Sequence, residues 1–329
     1  MIRTALLALG VACSAAASPE LEVQPGTLRP GDALLVTIRD GGMPLRGVVG
    51  KSKLRFFGWD GDARALLALP LTTPLGPVDV RVDLAAPKDG GVRLPWPPPD
   101  AGEDTVDALD ELEEEEADGG ALDAGRAPHD AGVHPMPDYW VPSLQATIEI
   151  VDPHFPRREL KVAKQYIEPS AAAKKQMADD AEAVKNAYHQ PFGHPLFHEN
   201  FAWPRATEIT SHFGDLRLYN GKKQSQHYGT DLEGRTGDPI LAANDGTVVL
   251  ARACYASGNT VLVYHGVGLF TAYFHMTVME VKAGDKVKRS QRIGQVGKTG
   301  RVTGPHLHFG VKLQGNYVNP ESLLELDFE

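Results

Sequence analysis

The stretch Gly304-Pro305-His306-Leu307-His308-Phe309-Gly310 fixes how the second half of the chain is read. A strand sends successive side chains to opposite faces, so His306, His308 and Gly310 share one face while Leu307, Phe309 and Val311 take the other. One face is chemical and the other structural. Two imidazoles side by side on a strand with an apolar back suit a metal site or a general base held on a rigid element. A chain with 12 His can equally place an H-x-H pair on a solvated edge. Other segments have to decide between these readings.

Working outward, short apolar runs bounded by turn residues follow one another from Ile209. They are Ile240-Leu241-Ala242-Ala243, Gly246 to Leu250, Thr260 to Tyr264, Thr271 to Phe274, Lys286-Val287 and Arg292-Ile293-Gly294. This texture predicts an all-β domain. Into it fall His227-Tyr228-Gly229-Thr230-Asp231 and, after Phe274, His275. With His306 and His308, three segments supply one carboxylate and four imidazoles. A catalytic zinc takes three N or O ligands and leaves its fourth position to water. Two His and one Asp meet that count, and H-x-x-x-D on a strand and turn lets both ends bend to one ion. A His outside the ligand set could take a proton from the water or hydrogen-bond a developing oxyanion.

At this point the domain resembles the lysostaphin-type, LytM-like zinc metallopeptidases of bacterial cell walls. The resemblance covers Thr207 to about Leu324. It rests on Ser211-x-Phe213-Gly214-x-x-Arg217, His227-x-x-x-Asp231, Thr271-Ala272-Tyr273-Phe274-His275, Gly294-x-x-Gly297-x-Thr299-Gly300, the opening stretch, and Val318-Asn319-Pro320. It implies that His227, Asp231 and His308 hold one Zn2+. It also implies that His306 and His275 are catalytic, one activating the water and the other steadying the tetrahedral intermediate. Tyr273 is open to two readings, cleft lining or core, and His265 matches a position taken as structural. Phe274 stands where a small residue is common, which would narrow the groove. The implied activity is hydrolysis of peptide bonds in peptidoglycan, with D,D cross-links the expected target.

The rest of the chain supplies context. At 329 residues, two folded units plus a linker are expected. Leu34 to Ile38, Leu54 to Phe57 and Val78 to Val82 are strand-like runs between Gly, Pro and Asp turns, which predict an N-terminal Ig-like β-sandwich over residues 20–165. Residues 87–137 read as an acidic disordered insertion, after which Leu144 to Ile150, followed by Leu160, completes the sandwich. Ala171 to Tyr188, rich in Ala, Lys, Glu and Asp without Gly or Pro, predicts a helix within a connector over 166–200. The peptidase domain then spans 201–326. His194 and His198 lack the spacing of a zinc helix and read as surface residues.

Residues 1–17 read as a secretory signal peptide, with cleavage after Ala17 or, through the loose lipobox Gly10-Val11-Ala12-Cys13, lipidation of Cys13. Either event removes the partner of Cys254, so no internal disulfide is expected and Cys254 reads as a small core residue. The expectation is an exported protein of the periplasm or cell envelope, on the membrane only if lipidated, and a monomer. The formal charge of -10 is misleading. Twelve of the 43 acids lie between Asp100 and Asp123, where no Lys or Arg occurs, which leaves 31 against 33 bases. That balance argues against a nucleic-acid binder. The competing functions are a non-enzymatic activator of other wall hydrolases and a peptidoglycan-gripping scaffold. A further expectation is that the N-terminal domain covers the cleft until processed.

Overall fold

The computed structural model describes residues 18–84, 143–221 and 223–329. The predicted signal peptide, Cys13 and the acidic insertion lie outside the described residues. As expected from the sequence, the protein is nearly all β. The N-terminal part is a sandwich of two sheets. One has the order β1 (Glu20–Gln24), β3 (Ala33–Arg39), β7 (Asp62–Ala68), β6 (Phe56–Trp59). The other has the order β2 (Thr27–Leu28), β9 (Ser143–Ile150), β8 (Gly76–Leu84), β4 (Pro44–Val49), β5 (Ser52–Lys53). β9 pairs with β8 from Ser143↔Asp83 to Ile150↔Gly76, so the strand after the insertion does complete this sandwich.

The C-terminal part is built on an eight-stranded sheet. Its order is β11 (Ile209–Ser211), β14 (Thr230–Glu233), β22 (His306–Leu313), β18 (Leu269–Met276), β17 (Gly258–Tyr264), β16 (Gly246–Cys254), β20 (Lys286–Val287), with β23 (Asn316–Val318) on β22. A smaller sheet of β15 (Pro239–Leu241), β21 (Arg292–Gln295) and β19 (Val278–Met279) brings Ile240 and Ile293 into the same core. Leu307, Phe309, Val311 and Leu313 of β22 are all at most 1 % exposed, as the alternation requires. Fully burying side chains of this kind contributes about 1.5–3 kcal/mol each.

Two expectations about domain organisation change. Leu160 lies in β10 (Arg157–Leu160), which does not join the sandwich. It pairs in parallel with β12 (Leu216–Tyr219), whose other neighbour is β13 (Lys223–Gln226). Nor do the two parts keep separate cores. Leu34, Val36 and Ile38 point into the sandwich, whereas Ala33 and Leu35 join Leu66, Phe57 and Trp59 in one cluster with the C-terminal core. β3 is thus buried on both faces, which explains an apolar run interrupted before Arg39 by Thr37 alone. Trp59 packs on Phe197 and Phe328, with ring centroids 5.3 and 5.9 Å away, and buried Arg64 donates to the Phe328 carbonyl at 2.7 Å. The sandwich joins the apolar side of the sheet, the face opposite His306 and His308.

The predicted helix is α1 (Ala171–Tyr188), capped by Ser170 Oγ, which accepts from the Ala173 N–H. It is more than a spacer. Val184, Ala187 and Tyr188 pack on Leu262, Ala272 and Phe274, and Asp180 accepts from Arg252 Nε and the Tyr255 N–H. A short α2 (Pro320–Leu324) closes the chain's last turn, with Asn319 as its cap.

Candidate metal centre

Register places the site. Asp231 of β14 stands directly opposite His308 of β22, and Glu233 opposite His306. Side chains opposite each other in an antiparallel pair share a face about 4.5–5.5 Å apart at Cβ. Asp231 and His308 therefore meet by backbone pairing alone. His227 arrives from the end of the β12–β13 hairpin, where its N–H donates to the Asp215 carbonyl at 2.9 Å. Three atoms converge: His227 Nε2 is 3.0 Å from Asp231 Oδ1 and 2.9 Å from His308 Nδ1, which is itself 2.9 Å from Asp231 Oδ1. The structure thus brings together the three residues expected to hold a metal.

The donor chemistry fits a small divalent cation. His227 Nδ1 donates to the His212 carbonyl at 2.8 Å, which leaves a lone pair on Nε2. Arg217 Nη2 holds Asp231 Oδ2 at 2.5 Å, which leaves Oδ1 for the centre. With the His227 proton committed elsewhere, a single proton on His308 cannot satisfy three converging acceptors, whereas one cation can. A tetrahedral ion with bonds of 2.0–2.1 Å has ligand edges of roughly 3.4 Å, a few tenths wider than this triangle. Burial by itself raises the Asp231 carboxyl, but the adjoining His227 and His308 imidazoles outweigh it and hold the group well below the usual carboxylate range. Burial pushes the His308 imidazole down to about 4, so it is neutral at pH 7.

His275 reaches the site by a route the sequence does not show. Strict alternation puts it on the core face with Tyr273. Between Asn259↔Met276 and Val261↔Tyr273, however, the pairing skips a residue, a β-bulge at which His275 takes φ +65°. Bulges re-aim side chains, and here the ring turns to the chemical face, 5.0 Å between centroids from His306 and 6.1 Å from His308. Its N–H bonds the Ser257 carbonyl and its Nδ1 donates to the Thr299 carbonyl at 2.9 Å, so Nε2 is left free for the site. Gly297 permits this: a Cβ there would lie 2.7 Å from the His275 carbonyl oxygen. Burial, then the neighbouring His306 and His308, push His275 down to about 3. His306 Nδ1 donates to the Gly304 carbonyl at 2.9 Å, and Nε2 lies 3.8 Å from Asp231 Oδ1.

The remaining sequence readings divide. Tyr273 is core: it is fully buried, and its hydroxyl accepts from the Ala243 N–H at 2.8 Å. His265 is structural, bonded to the Asp245 carbonyl and Thr271 Oγ1, with burial holding it down at about 4. Phe274 stacks on His308, centroids 5.0 Å apart and planes 10° apart, and so braces that ring. Cys254 is a buried free thiol pushed up by burial, and His194 and His198 are exposed. Sequence reading gave Ser211 and Arg217 no role; the signal that could have found them is their shared motif, Ser211-x-Phe213-Gly214-x-x-Arg217. Gly229 has no room for a side chain, since a Cβ would lie 2.5 Å from His308 Nε2 and 2.6 Å from the Phe309 carbonyl oxygen. Gly229→Ala is expected to weaken metal binding about tenfold or more while the chain still folds, as read by chelator competition and thermal melting.

Residues 225–320 match Peptidase family M23, which bears out the resemblance read from the motifs. Among curated relatives, the Vibrio cholerae peptidoglycan DD-endopeptidases ShyA and ShyC are 44% and 40% identical over 112 and 116 residues. These stretches cover 34% and 35% of this chain and 26% and 27% of the relatives. The chain therefore spans about a quarter of the curated relatives it matches. A Pseudomonas aeruginosa crystal structure assigned to peptidase M23 shares the fold more widely, with a TM-score of 0.55 over 90% of this chain and 94% of that one, at 21% identity.

Proposed function

We propose, for a chain whose residues 225–320 carry a Peptidase family M23 domain, that it is a zinc-dependent endopeptidase acting on bacterial peptidoglycan, with D,D cross-links as its target. The observation that carries this reading is the triangle of His227 Nε2, Asp231 Oδ1 and His308 Nδ1, faced by two further imidazoles outside it. A bound zinc supplies a Lewis acid for the scissile carbonyl and lowers the pKa of water towards neutrality. The chain's own residues do the rest. His306, its Nδ1 committed to Gly304, offers Nε2 to take a proton from the attacking water and pass it to the leaving amine. His275, held with Nδ1 on Thr299, offers Nε2 to the oxygen that gains charge. Arg217 keeps the Asp231 carboxylate turned to the ion.

The relatives' names support an envelope location, and we take the protein to act there as a monomer. Among the described residues no helix is long and apolar enough to cross a membrane. The test uses purified protein on isolated sacculi, with mass spectrometry of the soluble products. Release of peptides cut at the cross-link is expected. A zinc chelator should abolish that release and added zinc restore it. Binding to sacculi with no release in either condition would replace this reading with a non-enzymatic binder or activator.

A further inference from the structure

The family match begins at residue 225, yet the metal site is framed by residues well before it. Asp215 is the pivot. Its side chain is fully buried, and its Oδ2 accepts from Ser211 Oγ at 2.8 Å and lies 2.7 Å from Arg158 Nε in an ion pair. Ser211 Oγ in turn accepts from Arg217 Nη2 at 2.8 Å, the same nitrogen that donates to Asp231 Oδ2. The main chain of Asp215 holds His227, whose N–H donates to its carbonyl. One residue therefore touches two metal-site residues by two routes. Two carboxylates and two guanidiniums alternate along the path, and Arg158 is the cation that faces buried Asp215.

Arg158 comes from the segment leaving the N-terminal sandwich. That segment is strapped to the hairpin at both ends. The Leu216 N–H donates to the Pro156 carbonyl at 2.8 Å, the Asn220 N–H to the Leu160 carbonyl at 2.9 Å, and the Asn220 side chain bonds both the N–H and the carbonyl of Val162. Phe155 lies flat enough on Gly214 that a Cβ there would sit 2.0 Å from its ring. This pairing fixes the backbone of Arg158 beside the hairpin, so only its side-chain rotamers remain to be ordered. We propose that Arg158 is a positioning residue of the metal site: it neutralises buried Asp215, and so keeps Arg217 on Asp231 instead of being drawn to Asp215. Without it, a buried carboxylate is left uncompensated one hydroxyl away from Arg217. The proposal rests on reading the His227, Asp231 and His308 triangle as a metal centre.

The test measures zinc dissociation constants of the full chain by chelator competition, together with the visible spectrum of the cobalt(II)-substituted protein. Arg158→Gln is expected to weaken zinc about tenfold and to change the cobalt spectrum, and Arg158→Lys to recover most of both. In an Asp215→Asn background, Arg158→Gln should have no further effect, because the charge it answers is gone. Arg64→Ala is the control for general loosening, since it cuts a junction contact away from the hairpin; it should lower the melting temperature and leave zinc binding unchanged. Zinc binding by Arg158→Gln within twofold of the parent overturns the proposal. So does a loss that persists in the Asp215→Asn background, or an equal loss in Arg64→Ala. A parent protein that binds no zinc overturns the metal reading as well, and the two failures are told apart by the parent measurement alone.

Discussion

His308→Ala is expected to remove metal binding and peptidoglycan hydrolysis together. Four-ligand zinc sites bind with about 10–16 kcal/mol, or about 2.5–4 kcal/mol per ligand, so one lost ligand costs roughly two to three decades in dissociation constant. His308 is paired across to Asp231, lies 2.9 Å from the donor atoms of both partners, and carries the Phe274 ring on its face. The alanine variant also leaves Asp231 with one fewer donor in a buried setting, so some loss of stability accompanies the loss of metal. Metal content after dialysis and peptide release from sacculi are the two measurements. Full activity in this variant would sink the assignment of the site.

His306→Ala is expected to separate chemistry from metal. The ring is not one of the three converging donors, so the zinc dissociation constant should stay within about twofold of the parent. Removing a positioned base typically costs 10²–10⁴ in rate. The loss should fall on kcat rather than on the zinc dissociation constant. His306 keeps Nδ1 on the Gly304 carbonyl and turns Nε2 toward the Asp231 side of the site, which is the geometry this role needs. A variant that loses zinc in step with activity would make His306 a ligand instead. One that keeps kcat within threefold would leave it no part in proton transfer.

How far the site could be read from sequence depends on how local its causes are. The two faces of β22 and the boundaries of α1 follow from periodicity and propensity, which act over a few residues, and both stand in the structure. Asp231 and His308 carried a motif that the register then explains. His275 could be recognised only by resemblance, because alternation sends it to the wrong face and the bulge that returns it depends on a partner strand. The pairing of β10 with β12 joins residues almost 60 positions apart in parallel, and no local pattern announces such a contact. The shared core was foreshadowed by one signal only, the run from Ala33 to Ile38 that fails to alternate.

The wiring of the ligands along the chain also sets when they meet. His227 and Asp231 lie four residues apart and can approach each other as soon as the β12–β13 hairpin forms, but they are two donors and not a site. The third arrives with β22, near the end of the 329-residue chain, and β22 must insert between β14 and β18 to deliver it. In the proposed site the third donor thus depends on the central strand, so metal binding and the docking of β22 are coupled: an ion held there would tie β22 to β14 and to the segment that carries His227.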